Sequence, residues 1–228
     1  MDKCVGVVDG YFCRTITPTK AEGNVKSYYS GHYRHMGVNI QAVADCNCKF
    51  LYFALAAPGS TNDAQAITRV SAFKQIENIP EGYYVIGDSA YTASERLLPI
   101  FYGQDRLDDK KDAWNYYASQ LRIRIEMAFG LMTKKWAVLN RALMMKYDNI
   151  PRALNTISRL HNFCIKSNPS TIAEAPIIDK DNPQLGYLPT SPKKRIEGRR
   201  GVSTLRDVLV DKVYLSGLQR PTKRQRTK

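Results

Sequence analysis

The stretch Leu121–Trp136, with the sequence LRIRIEMAFGLMTKKW, decides how the rest of the chain is interpreted. Its apolar residues recur at steps of three and four, which is the spacing of one buried stripe on an α-helix. That stripe consists of Leu121, Ile125, Phe129, Met132 and Trp136. Glu126 lies beside the stripe, about 100° from Ile125 around the helix axis. The stretch therefore predicts an amphipathic helix with one acidic residue next to its buried face.

Basic residues surround this acid on the predicted helix, and they leave two interpretations open. They are Arg122, Arg124, Lys134 and Lys135. One interpretation is a surface helix on which Arg122 and Glu126, four residues apart, form an ion pair. The other is a helix that carries Glu126 to a functional site. The second interpretation gains support from two earlier segments, because each of them predicts a strand that ends on an aspartate.

Cys4–Val8 is the first of these segments, a short apolar run that predicts a buried strand ending at Asp9. Because Asp-Gly is a common hairpin turn, Asp9 also fits a simple turn, followed by a loop or irregular hairpin over residues 10–35. The second segment, Tyr83–Gly87, predicts a strand that ends at Asp88. A helix is predicted between the two segments, so this strand should run parallel to an earlier one.

If its partner is the first strand, Asp9 and Asp88 leave the same edge of the sheet. Neighbouring strands are about 4.8 Å apart. Two carboxylates at that spacing repel each other unless a cation lies between them. The ions of two-metal sites lie about 3.5–4 Å apart, so the two aspartates can share divalent cations. The carboxyl ends of strands are also where ligands gather in open α/β sheets.

The segments between the two aspartates predict a meander and then a helix. Val38–Ala44 alternates apolar and polar residues, as a half-buried strand does, whereas Phe50–Ala57 is apolar on both faces and predicts a central strand. Short connections join these strands to the first, which favours antiparallel pairing. A helix is predicted over Ala64–Gln75. Ser60 and Asp63 form a capping-box pattern before it, which alone accounts for Asp63.

The rest of the domain contains fewer segments that predict a structural element or a functional residue. Ser89–Leu98 predicts a short helix or turn, and the charge run Asp105–Asp112 predicts a solvated loop. Ile150–Ile165 predicts a second amphipathic helix. His161 lies in that helix, and we interpret it as a packing or hydrogen-bonding residue rather than a catalytic one.

From Ser167 onward the composition changes, and prolines break any periodicity. The chain therefore divides into a domain over residues 1–166, a flexible linker over 167–204, and an amphipathic helix with a basic tail over 205–228. The helix is predicted over Leu205–Leu218. Two basic clusters suit nuclear import or loose phosphate contact, although a merely soluble tail is an alternative. They are Lys193, Lys194 and Arg195, and Lys223, Arg224 and Arg226.

The overall composition narrows the function classes. The 228 residues carry a formal net charge of +13, which favours a polyanionic partner. Membrane association is not expected, since the longest apolar run, Phe50–Ala57, is far too short to span a bilayer. The cysteine count is odd, 5, and no secretory leader is visible, so free thiols in a reducing compartment are expected, including the C-x-C pair at Cys46 and Cys48.

The ordered set of Asp9, Asp88 and Glu126 resembles the catalytic domain of PIF/Harbinger-type DDE transposases, which have an RNase H-like fold. Six stretches carry the resemblance, in the order of the family, over residues 4–166. They are VVDG at Val7–Gly10, NIQAVAD at Asn39–Asp45, APGSTNDAQ at Ala57–Gln65, GDSAY at Gly87–Tyr91, RIEMAFGLMTKKW at Arg124–Trp136 and LHNFC at Leu160–Cys164. More distantly, the chain resembles DDE-type insertion-sequence transposases of bacteria.

This resemblance implies an α/β fold whose mixed sheet, an antiparallel meander plus a parallel strand, is flanked by helices. It also implies a DNA endonuclease and strand transferase of a cut-and-paste transposon. Asp9, Asp88 and Glu126 map onto the catalytic triad that holds two Mg²⁺ or Mn²⁺ ions, and Asp63 matches an accessory acid. Arg122, Arg124, Lys134 and Lys135 are candidates for DNA phosphate contact. A nuclear location, a homo-oligomer, and a separate Myb-like DNA-binding partner complete the expectation.

Two departures from the family pattern motivate a second hypothesis. Tyr11 and Phe12 follow the first aspartate, where the family has a small hydroxyl residue and a histidine. The first predicted strand is reached by Cys4, without the helical region that precedes it in the family. The alternative is therefore a domesticated, non-catalytic DNA-binding or adaptor protein derived from a transposase. A nuclease for RNA–DNA hybrids is a third hypothesis, which also follows from the expected fold.

Overall fold

The computed structural model describes residues 1–20, 23–174 and 201–220. In these residues six strands form one mixed sheet, with helices on both of its faces. The strands are β1 (Cys4–Arg14), β2 (Tyr29–Ser30), β3 (His35–Ala44), β4 (Phe50–Pro58), β5 (Tyr84–Gly87) and β6 (Leu97–Pro99). The helices are α1 (Val25–Tyr28), α2 (Asp63–Ala66), α3 (Ser71–Glu77), α4 (Asp109–Lys135), α5 (Ile150–Ser167) and α6 (Thr204–Leu215). The predicted α/β class is confirmed, and the arrangement is consistent with an RNase H-like fold.

The strand β1 lies at the centre of the sheet and joins its two halves. On one side it pairs antiparallel with β3, which pairs antiparallel with β4 and briefly with β2. On the other side it pairs parallel with β5, which pairs parallel with β6. The predicted meander and the predicted parallel strand are therefore confirmed. The β1–β5 register places Val7 opposite Ile86, so Asp9 and Asp88 each follow two residues later at the same end.

The first strand is longer than predicted. β1 continues past Asp9 to Arg14, so the predicted turn at Asp9 is wrong, as is the loop assigned to the residues directly after it. Residues 11–13 are buried, and β1 pairs with β3 as far as Gly37. The apolar area that these residues bury on both faces of the sheet outweighs the local turn preference of Asp-Gly.

The strand β4 has the predicted bounds within one residue, but it is not central. In the part of the chain that the structure describes, it pairs with β3 alone and forms an edge of the sheet. Both of its faces are apolar because both are partly covered: Phe50 and Phe53 pack toward α4 and α5, and Tyr52 packs toward the opposite helices. An apolar strand was thus misinterpreted as central, because coverage of both faces does not require a partner strand on both edges.

Three helical predictions between residues 60 and 112 are also corrected. The helix predicted over residues 64–75 is broken at Val70, which is extended and packs into the core. The segment Ser89–Leu98 ends in the strand β6 rather than forming a helix. The charge run is not a loop, because Asp108 caps α4 by accepting hydrogen bonds from the backbone of Lys110 and Lys111. Acidic residues stabilise the first turn of a helix in this way.

The long helix α4 and the helix α5 cover one face of the sheet. The predicted stripe of α4 lies against it, with Ile125, Phe129 and Met132 fully buried. His161 of α5 is buried, and its Nε2 lies 2.8 Å from the carbonyl oxygen of Cys48, which confirms its predicted hydrogen-bonding role. On the opposite face, Ile67, which directly follows α2, and the helix α3 cover Val8 of β1 and its neighbours.

The predicted C-terminal helix is present as α6, and it packs on the domain. Val210 and Val213 are buried against Trp114 of α4 and against Tyr84 of β5. Glu95 caps its N-terminus by accepting hydrogen bonds from the backbone nitrogens of residues 204 and 205. Most of the predicted linker 167–204 lies outside the described residues, so the division into domain, linker and tail stays a prediction.

The cysteines and the helices were also compared with the expectations from the sequence. All five cysteines are free thiols. Among the described helices, none combines the length and the apolar composition that crossing a bilayer requires.

Two isoleucines on α4 provide a matched test of the packing. Ile125 is completely buried, whereas Ile123, two residues earlier, is 47% exposed. We expect Ile125→Ala to lower the free energy of unfolding by about 2–5 kcal/mol, because it removes buried methyl groups and leaves a cavity. Ile123→Ala should change it by about 0.5 kcal/mol or less. Urea unfolding followed by circular dichroism measures both, and equal losses would contradict the assigned face of α4.

Candidate active site

Asp9 is the most deeply buried of the predicted catalytic residues. Its exposed fraction is 1%, although it lies on the central strand and carries a carboxylate. Its Oδ1 accepts a hydrogen bond of 2.8 Å from the backbone nitrogen of Gly10. Its Oδ2 accepts one of 3.1 Å from Nη2 of Arg122 on α4. The carboxylate therefore faces α4, the helix that also carries Glu126.

Asp88 directly follows β5 and lies at the same end of the sheet as Asp9. Its Oδ1 accepts a hydrogen bond of 2.8 Å from the backbone nitrogen of Ala90, which fixes the turn after the strand. The predicted strand end at Asp88 is confirmed, unlike the one at Asp9. Parallel pairing of β1 with β5 brings these two carboxylates near each other, as the sequence predicted.

Glu126 is nine-tenths buried on α4 and completes the group. Arg122 lies one helical turn before it, and Nη2 of Arg122 is 3.7 Å from Oε1 of Glu126. The ion pair expected from the sequence is thus present, but it does not lie on the surface. One nitrogen of Arg122 contacts both Glu126 and Asp9, and the Arg122 side chain is only 14% exposed.

Asp63 reaches the site from the opposite face of the sheet. Its Oδ1 accepts hydrogen bonds from Nδ2 of Asn39 at 2.8 Å and from Nε2 of Gln41 at 3.1 Å. The capping interpretation of Asp63 is wrong, because Asn62 caps α2 instead, by accepting a hydrogen bond from the backbone of Gln65. Asp63 is 2% exposed, and its carboxylate therefore belongs to a buried polar network.

Gly10 makes room for this network. A Cβ atom built on Gly10 would overlap Oδ1 of Asp63, so any larger residue would displace the carboxylate. Gly10 was predicted to form a turn. It lies within β1 instead, where the missing side chain lets the carboxylate of Asp63 approach the strand closely.

The residues that hold Asp63 were missed by the sequence reasoning. Asn39 and Gln41 alternate with apolar residues on β3, and such polar residues usually face solvent. Both are buried here, and Tyr91 donates a hydrogen bond of 2.8 Å to Oε1 of Gln41. The only available signal was that Asn39, Gln41 and Tyr91 lie within the stretches that carried the family resemblance.

Three neighbouring acids act electrostatically on Asp9. Burial raises the pKa of Asp9 from an ordinary 3.8 to about 7, and the charges of Asp88, Asp63 and Glu126 raise it further, against the opposing effect of Arg122. Burial also raises the pKa of Tyr91, with the same aspartates contributing. These shared effects indicate one concentrated region of negative charge, and they keep the tyrosine hydroxyl protonated as a donor.

The remaining basic candidates do not join this cluster. Arg124, Lys134 and Lys135 are exposed on α4, in positions open to a large ligand. The charge of Arg124 acts on Cys48, whose pKa is nevertheless raised by burial. The candidates for nuclear import lie outside the described residues: Lys193, Lys194, Arg195, Lys223, Arg224 and Arg226.

The donor set suits a hard divalent cation, although the ligands are not yet in place for one. In the described ranges, no three histidine, cysteine, aspartate or glutamate side chains are already arranged around a single ion position. The chemistry fits, however, because oxygen ligands favour Mg²⁺ or Mn²⁺. The negative charges of Asp88, Asp63 and Glu126, which act on Asp9, would also attract such an ion. Asp9, Asp88 and Glu126 are the residues that would bind such ions, with Asp63 behind them.

The cost of this buried charge gives a pH-dependent prediction. Because the pKa of Asp9 is raised in the folded state, protonation of Asp9 favours folding. This contribution to the free energy of unfolding is complete below about pH 4 and is lost as the pH rises to about 7. Asp9→Asn cannot ionise, so without metal it should raise the free energy of unfolding at pH 8, on the order of 2–4 kcal/mol, and less at pH 5. Urea unfolding in the presence of a chelator measures this. Asp148→Asn, which removes an exposed carboxylate, is the control, and a loss of stability in Asp9→Asn at pH 8 would contradict the assignment.

A comparison with known proteins finds a similar curated protein. The chain is 24% identical to the Protein ALP1-like of Arabidopsis thaliana, over 93% of this chain and 54% of that protein. The chain thus spans about half the length of this curated relative. No solved structure matches the chain significantly.

The family comparison covers the part of the chain that contains the site. The model of the family described as DDE superfamily endonuclease matches residues 8–162. That range begins one residue before Asp9 and includes Asp63, Asp88 and Glu126. The chain therefore belongs to the DDE superfamily of endonucleases.

Proposed function

We propose that this protein is a metal-dependent DNA endonuclease and strand transferase of a cut-and-paste transposon, of the PIF/Harbinger type. The observation that supports it best is the convergence of Asp9, Asp88 and Glu126 on one buried site in a member of this superfamily. Family membership supports a transposase-like nuclease, and thus DNA as substrate. The subtype, the strand transfer and the present activity are the steps that the proposal adds.

The side chains of the site have distinct tasks in this mechanism. Asp9, Asp88 and Glu126 hold two Mg²⁺ or Mn²⁺ ions, which when bound supply an activated nucleophile and a stabilised leaving oxygen for phosphodiester cleavage. β1 and β5 fix the first two carboxylates through their parallel register, and the rigid helix α4 fixes Glu126. Rigid elements suit this task because the ligands must stay within a fraction of an ångström of their positions.

Asp63 supports these ligands from behind the sheet. Two carboxamide donors hold its Oδ1, and Tyr91 in turn holds Gln41. Asp63 thereby keeps a further negative charge beside Asp9, which strengthens the attraction for cations. We therefore assign Asp63 an accessory part in metal binding.

DNA approaches over the exposed part of α4 in this proposal. Arg124, Lys134 and Lys135 present three cationic side chains there. Such contacts neutralise phosphates and position the duplex without reading its sequence. Sequence recognition is assigned to a separate Myb-like partner, and the active form is a homo-oligomer. The basic clusters near residues 193 and 223 support a nuclear location, as part of the same proposal.

A second candidate function is a domesticated, non-catalytic DNA-binding or adaptor protein. The contacts of Arg122 favour it, because this one cationic side chain pairs with Asp9 and Glu126, two of the proposed metal ligands. Such a protein would bind DNA equally well with and without Mg²⁺ and would tolerate Asp9→Asn. The two candidates are therefore separated by metal binding and by metal-dependent cleavage.

Metal titration is the first test. We expect Mn²⁺ or Mg²⁺, titrated by calorimetry, to bind the wild type and to lose that binding in the triple variant Asp9→Asn, Asp88→Asn, Glu126→Gln. Nicking of supercoiled DNA should disappear with it, and competition with RNA–DNA hybrid shows which nucleic acid is preferred. The control is a triple variant that makes the same change of charge on exposed residues: Asp2→Asn, Glu81→Gln, Asp148→Asn. Equal binding by both variants would place the ions elsewhere.

DNA binding tests the role of α4 separately. Changing Arg124, Lys134 and Lys135 to Gln should weaken binding of duplex DNA and lower the slope of log affinity against log salt by up to about 3, since each phosphate contact contributes roughly 0.9. Fluorescence anisotropy between about 50 and 200 mM salt measures this. The control changes Lys26, Arg69 and Lys74, which are exposed outside α4. An equal loss in the control would mean that only net charge matters.

A further inference from the structure

Arg122 occupies the position where its charge conflicts most directly with metal binding. Its Nη2 lies 3.1 Å from Oδ2 of Asp9 and 3.7 Å from Oε1 of Glu126. These two oxygens belong to residues that the proposed function names as metal ligands. A guanidinium and a divalent cation cannot share them closely, because both are positively charged and both approach the same lone pairs.

We propose that Arg122 is an internal substitute for the metal: it holds the carboxylates together in the metal-free protein and leaves them when divalent ions bind. This inference rests on the proposed function, because it takes Asp9 and Glu126 as metal ligands. It makes Arg122 a positioning residue rather than a catalytic one. The bound and released states of its side chain are the two arrangements that the proposal requires.

The electrostatics explain why the metal-free protein needs this arginine. The carboxylates of Asp9 and Glu126 are both buried, and Nη2 of Arg122 is the cationic group that pairs with both of them. A buried carboxylate without a compensating cation is strongly destabilising. Arg122 thus lowers the cost of keeping the acids close together before the metal arrives.

The position of Arg122 on α4 also allows it to leave. Its side chain is 14% exposed, so it retains a route to solvent, whereas Asp9 at 1% does not. Arg122 lies one turn before Glu126, and a long flexible side chain can turn outward without moving the helix backbone. The carboxylates, which are fixed by β1 and α4, remain in place for the ions.

For Arg122→Gln the proposal predicts a lower melting temperature but tighter binding of Mn²⁺. A purely structural role of Arg122 predicts only the lower melting temperature. Removing the cation should lower the melting temperature in a chelator, because the acids then repel one another. It should also tighten Mn²⁺ binding, by about tenfold or more, because the ions no longer compete with a guanidinium. The difference in melting temperature from wild type should shrink at saturating Mn²⁺.

The experiment compares wild type, Arg122→Gln, Arg122→Lys and the control Arg159→Gln, which removes an exposed arginine of α5. Mn²⁺ affinity is measured by calorimetry, and melting temperature is measured with chelator and with Mn²⁺. Tighter binding in Arg122→Gln alone supports the proposal, and so does a variant that folds only when Mn²⁺ is added. Unchanged or weaker binding in Arg122→Gln, beside normal binding in wild type, overturns this proposal and leaves the proposed function intact.

A measurement on the wild type avoids any dependence on a variant that folds poorly. The ¹³Cζ resonance of Arg122, assigned by its loss in Arg122→Lys, should shift on addition of Mg²⁺, while that of Arg159 should not. An unshifted Arg122 resonance at saturating Mg²⁺ overturns the proposal. If neither wild type nor Arg122→Gln binds Mn²⁺, the metal site of the proposed function fails as well. This outcome differs from one in which wild type binds Mn²⁺ and only the role of Arg122 is overturned.

Discussion

The burial of the Asp9 carboxylate in the central strand is the constraint on which the arrangement of this site depends. A charge at 1% exposure requires donors and a cation nearby, and the chain provides the backbone of Gly10 and the guanidinium of Arg122. Even so, the pKa of Asp9 is raised to about 7, so these partners do not fully offset the burial and the neighbouring acids. The fold therefore tolerates a destabilising cluster at its centre, which its apolar layers on both faces of the sheet must offset.

The two faces of the sheet contribute to this cluster in different ways. Asp9 faces α4, where Arg122 and Glu126 lie one helical turn apart. Asp63 lies on the other face and is held by amide donors from β3. Gly10 allows it to approach β1, since any Cβ there would overlap its carboxylate. The helix α4 thus sets the ionic contacts of the site, and β3 sets its neutral hydrogen bonds.

The sequence was sufficient to predict the elements that follow from periodicity, but not the partners of the buried polar groups. The stripe on α4, the parallel pairing of β1 with β5, and the approach of Asp88 to Asp9 follow from the spacing of apolar residues and from chain topology. The continuation of β1 past Asp9 did not, because a local Asp-Gly turn preference cannot be weighed against burial that depends on distant residues. Asn39 and Gln41 escaped notice for the same reason: alternation shows which residues share a face, but not whether that face meets water or an aspartate from another element. The direction of the Arg122 side chain likewise depends on contacts with β1, more than a hundred residues away in the chain.

The energetics of the cluster bear on which proposed function fits the molecule better. In a protein that only binds DNA, nothing requires Asp9 to be acidic, because an asparagine there would fill the same space without a buried charge. The acids also reduce the positive field that attracts a polyanion, so they oppose DNA binding where no cation is bound. A metal ion removes both disadvantages, since it neutralises the carboxylates and presents positive charge to phosphate. Three buried and neighbouring carboxylates, on β1, directly after β5 and on α4, are therefore costly for an adaptor and useful to a nuclease, and this asymmetry is why we favour the catalytic proposal.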